Sequence, residues 1–319
     1  MKSPMNRVML FTVLALTGMK AIAASSDSIP YPIEPALNVE VVLHQQEIAV
    51  DVTSTAPVAA QFGLLGALVG AAIDNANAQA AEKRVADIRN LLVDYDFNQS
   101  AEGAIKAAVA SPGISPAPVI TVRKSGWDAV AEQGNAMTGP QQTLLRLVPH
   151  YAIASNFESI KVSLQAFYLQ RTVKDSGKIK ESVIFSRNYS LELPLEKIQG
   201  SGADEDADRW VALGRDGLTV LIGQGIQQTA DMLAYDFSAE GRALIANAKS
   251  GKSTQFHGKT YRGTVLRENP DYIWVANGKY KSRTIVGVQP VVAPAATAEP
   301  APMPMPAEVP VPATEPAKK

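Results

Sequence analysis

The chain of 319 residues contains no cysteine and only three histidines. The absence of cysteine excludes disulfides, thiol nucleophiles and the cysteine-ligated zinc and iron–sulfur sites. Stability must therefore come from burial of apolar side chains, and hydrophobic residues make up 46% of the composition. His44, His150 and His257 lie in separate parts of the sequence, and there is no Gly-x-Ser-x-Gly motif for a nucleophilic serine. We expect no cofactor, no metal site and no enzymatic activity, with a secreted hydrolase that uses dispersed carboxylates as an alternative.

A surplus of charge of one sign is also missing. The chain has 30 lysine and arginine residues against 31 aspartate and glutamate residues, for a net charge of −1. Proteins that bind nucleic acids through phosphate contacts need a basic surface. No nucleic-acid partner is therefore expected.

The apolar run at the N-terminus is too short to be a spanning helix. It covers Val8–Leu16, whereas a spanning helix needs roughly 20 residues. Two basic residues, Lys2 and Arg7, precede the run, and the small-x-small sequence Ala21-Ile22-Ala23 follows it. This order is typical of a cleavable export signal, so we predict a signal peptide over residues 1–23 and a periplasmic or secreted protein. Cleavage would leave 27 basic and 31 acidic residues, a net charge of −4. An uncleaved N-terminal anchor is the alternative.

The periodicity of apolar residues divides the remaining chain into blocks. Apolar residues alternate over 145–153, 160–168 and 183–193, which predicts three antiparallel strands. Dense proline from residue 290 onward excludes helices and central strands. The predicted blocks are a flexible segment (24–36), a strand/long-helix/strand block with a glycine-rich helix (37–123), an antiparallel meander (124–200), a helical region (201–250), a small β block (251–289) and a disordered Pro/Ala-rich tail (290–319).

The order of these elements predicts an α+β fold with a mainly antiparallel sheet and two long helices. One helix is expected over about 59–95. Strands are predicted on both sides of it, so a βαβ unit is one possible arrangement among several. The other is expected over about 206–235, with a break near Gly223, because glycine disfavours helix interiors. Ser238 is predicted to cap a short helix after it, and Asn277-Gly278 predicts a two-residue type I′ turn.

The most unusual segment is Phe62–Ile73, in which small residues recur at intervals of four. Such spacing leaves a flat stripe on one helix face, which lets another backbone approach closely. The segment resembles the glycine-zipper segments of bacterial envelope proteins, and this resemblance implies oligomerisation or membrane insertion. A buried helix packed tightly on a sheet is the third interpretation and the favoured one, because an apolar run of about a dozen residues is more often a core helix. The candidate contact residues are Gly63, Gly66, Ala67, Gly70 and Ala71.

The last β block is rich in basic and aromatic residues, which suggest a binding face. Such side chains on a small sheet are suited to an anionic polymer or a peptide, although an ordinary solvated strand face has a similar composition. The candidates are Arg262, Tyr272, Trp274, Tyr280 and Lys281.

The alternate acidic residues of Asp204–Asp208 resemble the start of a calcium loop. Arg209 stands where such a loop needs glycine. The run is therefore better explained as the acidic first turn of a helix.

Together these features predict an exported, non-enzymatic protein of the cell envelope that acts through protein contacts or oligomerisation. Its partner would be another envelope protein or a second copy of the chain, as a homo-oligomer. The first alternative is a membrane-associated oligomer that inserts Phe62–Ile73, and the second is the secreted hydrolase.

Overall fold

The computed structural model describes residues 36–51, 75–111, 113–124, 141–248, 252–277 and 284–294. The predicted signal peptide, the glycine-rich segment and residues 295–319 lie outside the described residues. The strands are β1 (Asn38–Val42), β2 (Ala49–Asp51), β3 (Val119–Arg123), β4 (Gln141–Ala154), β5 (Ser159–Val173), β6 (Ile179–Pro194), β7 (Ser253–Phe256), β8 (Lys259–Arg262), β9 (Thr264–Glu268), β10 (Ile273–Asn277) and β11 (Thr284–Val288). The helices are α1 (Asn75–Leu91), α2 (Phe97–Val109), α3 (Ala203–Ala212), α4 (Gly214–Phe237) and α5 (Ala239–Ala246).

Nine of the described strands form one mixed sheet in the order β3-β1-β4-β5-β6-β11-β10-β9, and β2 also pairs with β4. The pairs β1–β3, β1–β4, β2–β4 and β6–β11 are parallel. The pairs β4–β5, β5–β6, β9–β10 and β10–β11 are antiparallel. The prediction of a mainly antiparallel sheet with two long helices is therefore wrong, since the sheet is mixed and the described residues form five short helices. Alternation identifies the two faces of a strand but not the direction of its neighbour.

The parallel pairs join segments that are far apart in the chain. β1 lies between β3 and β4 and runs parallel to both, with α1 and α2 in the connection to β3. This arrangement is a βαβ unit, which was one of several arrangements compatible with the sequence. The three alternating runs form β4, β5 and β6, which pair antiparallel as predicted.

A side-chain amide bridges the gap between β1 and β2 along the edge of β4. The backbone N–H of Tyr151 donates to Gln45 Oε1 at 2.9 Å, and Gln45 Nε2 donates to the Tyr151 carbonyl at 2.6 Å. The amide of Gln45 therefore replaces a peptide group of a neighbouring strand. Both backbone polar groups of buried Tyr151 are paired in this way, as burial requires.

Helix α4 packs closely on β5 and β6. At the closest point, a Cβ added to Gly225 would lie 2.5 Å from Val162 Cγ2. This packing keeps α4 continuous through Gly223 and Gly225, so the break predicted near Gly223 is wrong. The chain breaks instead between α3 and α4 at Gly214, where φ is +66°. Tertiary packing overrides the low helix propensity of glycine here.

A buried ion pair fixes the C-terminal end of α4 to β6. Arg187 Nε lies 3.0 Å from Asp236 Oδ2, and both side chains are 2% exposed. Tyr189 donates its hydroxyl to the same oxygen at 2.7 Å. Burial and the charge of Asp236 raise the pKa of Tyr189 well above its ordinary value, so the hydroxyl keeps its proton. Ser238 then caps α5 by accepting a hydrogen bond from the N–H of Gly241, as predicted.

The opposite face of the sheet carries a network of charges, in which Glu40, Arg146 and Arg171 are buried. Arg146 donates two hydrogen bonds to Glu181, at 2.9 and 3.0 Å, and also pairs with Glu40. Arg171 contacts both carboxylates, and Arg123 pairs with Glu40. Burial raises the pKa of Glu181, but the bonds and charges of the two arginines outweigh this effect, so its pKa is lowered. The network ties β1, β3, β4, β5 and β6 together.

The chain remains packed for several residues beyond β11. The N–H of Gln289 donates to the Glu192 carbonyl and that of Val291 to the Pro194 carbonyl, at 3.0 and 2.8 Å. Val291 is 5% exposed, and Ala293 is also buried. Residues 290–294 therefore belong to the packed structure rather than to a solvated tail, and the predicted boundary at 290 is too early.

The connection between β10 and β11 differs from the predicted turn. Asn277 pairs with Thr284, which leaves residues 278–283 as the connection. A two-residue turn centred on Asn277-Gly278 is therefore wrong.

Candidate functional site: a glutamine-lined cleft

An open cleft of about 480 Å³ lies between α4 and several turns near the start of β10. Its volume falls within the roughly 300–1,000 Å³ of small-molecule sites. The walls come from α4, the β7–β8 turn, the β9–β10 connection and the segment after β11. The lining residues are Gln224, Gln227, Gln228, His257, Pro270, Asp271, Tyr272, Gln289 and Pro290.

Three glutamines of the cleft form a relay of hydrogen bonds. Trp274 Nε1 donates to Gln228 Oε1 at 3.0 Å. Gln228 Nε2 donates to Gln289 Oε1 at 2.7 Å, and Gln289 Nε2 donates to Gln224 Oε1 at 3.1 Å. The indole N–H can only donate, so it fixes which end of the Gln228 amide faces it and thereby the direction of the relay. Trp274 is 1% exposed and Gln224 is exposed, so the relay runs from the core to the surface.

The relay uses only part of the hydrogen-bonding capacity of its amides. A primary amide has two N–H groups and two carbonyl lone pairs. Within the relay, Gln228 and Gln289 each use one N–H and one lone pair, and Gln224 uses one lone pair. The cleft therefore offers both donors and acceptors, in positions that the relay sets before any ligand arrives.

The β9–β10 connection positions the aromatic wall of the cleft. Asn269 Oδ1 accepts hydrogen bonds from the N–H groups of Asp271 and Tyr272, at 2.9 and 2.7 Å. The sequence Asn269-Pro270-Asp271 is rich in turn-forming residues, and the asparagine side chain closes the turn. The Tyr272 ring stacks on Trp274 with centroids 5.7 Å apart and ring planes 27° apart. The half-buried Tyr272 ring is thus held by the same tryptophan that begins the relay.

The β7–β8 turn supplies His257. Phe256 pairs with Lys259, and the two residues between them, His257 and Gly258, have φ of +46° and +73°. Positive φ at both central residues is characteristic of a type I′ turn. His257 Nε2 donates to the Pro270 carbonyl at 3.2 Å and so links this turn to the β9–β10 connection. Positive φ is uncommon outside glycine, and such residues cluster at functional sites.

The described lining of the cleft contains no lysine or arginine, and Asp271 is its only carboxylate. No family model, curated protein or solved structure matches this chain. The chemistry of the cleft must therefore be inferred from its own residues.

The residues predicted as a ligand-binding face are only partly brought together. Tyr272 lines the cleft, and Trp274 lies behind it in the core rather than on an exposed face. Arg262 is exposed on β8 and does not line the cleft. Tyr280 and Lys281 lie outside the described residues, as do the glycine-rich contact residues Gly63, Gly66, Ala67, Gly70 and Ala71.

Sequence reasoning missed the glutamines. One signal was present, because Gln224 and Gln228 are four residues apart and therefore share one face of α4. The third member, Gln289, is distant in sequence, and only the fold places it beside them.

A second concave region, of about 400 Å³, lies between α1 and α3 and is lined mainly by charged side chains. Arg84 and Asp204 form an ion pair across it, and their hydrogen bond lowers the pKa of Asp204. The predicted acidic helix start is present, since Asp204 lies in the first turn of α3 and Asp206 pairs with Arg209. Arg84 and Asp204 therefore neutralise each other across this region.

Two histidines lie near each other at the end of β1 and in β4. Burial lowers the pKa of His44. The pKa of His150 is lowered to about 4, mainly by burial and to a smaller extent by the charge of His44. Among the described residues, no three histidine or carboxylate side chains lie close enough together to hold a metal ion.

Within the same residues, no helix has the length and apolar character needed to cross a membrane.

Proposed function

We propose that this chain is an exported, non-enzymatic binding protein of the cell envelope, and that the glutamine-lined cleft holds its ligand. The observation that carries the proposal is the relay from buried Trp274 to exposed Gln224. Flexible side chains lose conformational freedom when a ligand immobilises them, and this loss weakens binding. Because the relay orders three glutamines beforehand, a ligand that bonds to them loses less affinity in this way.

The lining residues favour binding over catalysis. Hydrolysis of a glycosidic bond ordinarily uses a pair of carboxyl groups, and the described lining has one, Asp271. Nucleophilic catalysis needs an activated hydroxyl, thiol, amine or carboxylate beside a base. The described lining has no serine, threonine, cysteine or lysine. It does contain the Asp271 carboxylate and the Tyr272 hydroxyl, but the Nε2 atom of His257 is hydrogen-bonded to the Pro270 backbone carbonyl rather than to either of them.

Export remains the prediction made from the basic residues, apolar run and small-x-small sequence of residues 1–23. Its test is mass spectrometry of the native protein recovered from separated cell fractions. We expect a chain that begins at Ala24 outside the cytoplasm. An intact Met1 in cytosolic protein would contradict export.

Binding in the cleft is tested by equilibrium dialysis of the purified protein against small molecules extracted from the cell envelope. Gln224→Ala removes the exposed end of the relay. Gln255→Ala is the matched control, because Gln255 is an exposed glutamine on β7 that does not line the cleft. We expect a compound retained by the wild type and by Gln255→Ala but not by Gln224→Ala. Equal retention by all three proteins, or no retained compound, would contradict the proposal.

A further inference from the structure

We infer that the ligand of the cleft is an uncharged saccharide. This inference rests on the proposed function, because it names the class of ligand for the same cleft. Three properties of the described lining support it, namely its charge, its hydrogen-bonding pattern and its aromatic wall.

The charge of the lining disfavours anionic ligands. Sites for phosphates and carboxylates use arginine, lysine or clustered backbone N–H groups, and the described lining has no basic side chain apart from His257. The carboxylate of Asp271 would repel an anion at the rim. An uncharged ligand meets no such penalty.

The relay requires a ligand that both donates and accepts. Gln228 and Gln289 each retain one N–H and one carbonyl lone pair beyond the relay. An acceptor-only ligand would cover amide oxygens without pairing them, and an unpaired buried polar group costs roughly 1–3 kcal/mol. A hydroxyl has one donor and two acceptor sites. Neighbouring hydroxyls of a sugar ring can therefore pair with both ends of one amide.

The aromatic wall fits the apolar face of a sugar. The Tyr272 ring stacks on Trp274 with ring planes 27° apart, and the Asn269 turn holds the Tyr272 backbone. The negative face of an aromatic ring attracts the slightly positive C–H groups of a sugar ring that lies over it. A rigid ring of this kind also loses little conformational freedom on binding.

A peptide is the main competing ligand, and the walls disfavour it. Proteins capture extended peptides on an open strand edge, in an apolar helix groove or between several aromatic side chains. The described walls are the side of α4 and three chain connections, with one aromatic residue, Tyr272, in the lining. They therefore lack the features that these modes of peptide binding use.

The test is isothermal titration of the whole protein, without its signal peptide, with defined probes at up to millimolar concentration. The uncharged saccharides are cellotetraose, maltotetraose and chitotetraose. Tetragalacturonate is the anionic probe, and acetyl-tetraalanine amide is the peptide probe. The variants are Gln224→Ala, Tyr272→Ala and Tyr272→Phe, with Gln255→Ala as the control, and circular dichroism establishes that each variant is folded.

We expect at least one uncharged saccharide to bind more tightly than tetragalacturonate and the peptide. Gln224→Ala and Tyr272→Ala should each weaken that binding about tenfold, as loss of one good contact does. Tyr272→Phe keeps the ring and should weaken binding less than Tyr272→Ala does. Gln255→Ala should bind like the wild type. If Tyr272→Ala does not fold, the exposed Gln224 still provides the test.

Two results would overturn the inference in different ways. Binding of the peptide or the anion alone, with loss in Gln224→Ala, would reject the saccharide but leave the cleft as a binding site. Saccharide binding that Gln224→Ala and Tyr272→Ala leave unchanged would place the saccharide elsewhere and reject the inference. If no probe binds, the saccharide is rejected, and dialysis against the envelope extract decides whether the proposed function also fails.

Discussion

Substitution of Gly225 by alanine tests how closely α4 packs on the sheet. The added Cβ would lie 2.5 Å from Cγ2 and 2.8 Å from Cβ of Val162. Val162 is fully buried in β5, a central strand, and its branched side chain has few rotamers to adopt. The clash can be relieved only if the helix moves away from the strand.

The magnitude follows from two opposing effects. Overpacking of a tight core costs about 1–3 kcal/mol, whereas alanine gains up to about 1 kcal/mol over glycine in a helix. We therefore expect Gly225→Ala to lower the free energy of unfolding by about 1–2 kcal/mol. Gly223 is the matched control, because a Cβ there meets nothing within 4 Å. Gly223→Ala should keep the helix gain and stabilise the protein by roughly 0.5–1 kcal/mol.

The assay is urea unfolding followed by far-ultraviolet circular dichroism, with the slope of each transition compared. Equal slopes with midpoints shifted in opposite directions are expected, because both variants change stability without changing the surface exposed on unfolding. Equal stability of Gly225→Ala and Gly223→Ala would contradict this prediction, because it would show that α4 does not pack on β5 as closely as the 2.5 Å distance requires.

Three further predictions concern the C-terminal segment, the buried ion pair and pH. Val291→Ala should lower the free energy of unfolding by about 1–2 kcal/mol, because Val291 is buried. Val292→Ala, at a residue that is 77% exposed, should leave thermal unfolding unchanged. Equal effects of the two substitutions would show that the segment is not packed. Asp236→Ala should lower the free energy of unfolding, measured by chemical denaturation, by about 3–5 kcal/mol, because it removes this partner of Arg187. The control is Asp231→Ala, at an exposed residue of the same helix. An equal loss of stability in both variants would argue against the ion pair. Burial lowers the pKa of His150 from 6.5 to about 4 in the native state. The free energy of unfolding should therefore fall by on the order of 3 kcal/mol as the pH drops from about 6.5 to about 4, and then level off. His150→Gln should flatten this part of the pH profile, and an unchanged profile would assign the dependence to other groups.

Local sequence patterns predicted those structural elements that depend only on neighbouring residues. Period-two alternation identified β4, β5 and β6, because their apolar side chains face one core. Ser238 was recognised as a helix cap because its hydroxyl accepts a bond from a backbone N–H three residues later. These signals act over a few residues and do not depend on the rest of the fold.

The sheet topology depends on contacts that no local pattern encodes. The parallel pairing of β6 with β11 joins segments about a hundred residues apart, and alternation is the same in parallel and antiparallel neighbours. Trp274 was expected on an exposed face because alternation does not tell which face will be covered. Both faces of β10 are covered, one beside α4 and the other by the cluster around Phe256.

The cleft could not be predicted from the sequence for a related reason. Glutamines in a helix are ordinary surface residues by composition, and only the fold brings Gln289 and Trp274 to Gln224 and Gln228. The proline-rich composition also concealed the packing of Val291, because dense proline usually indicates a solvated extension.

Binding of an uncharged ligand in the cleft is tested most directly by nuclear magnetic resonance of the Tyr272 ring during titration with the tightest-binding saccharide. The ring signals are assigned by their loss in Tyr272→Phe. A ligand stacked on this ring should shift its proton signals in a saturable manner and give cross-relaxation between ring and sugar protons. Saturable binding by calorimetry without any change at Tyr272 would contradict the assignment of the cleft as the binding site.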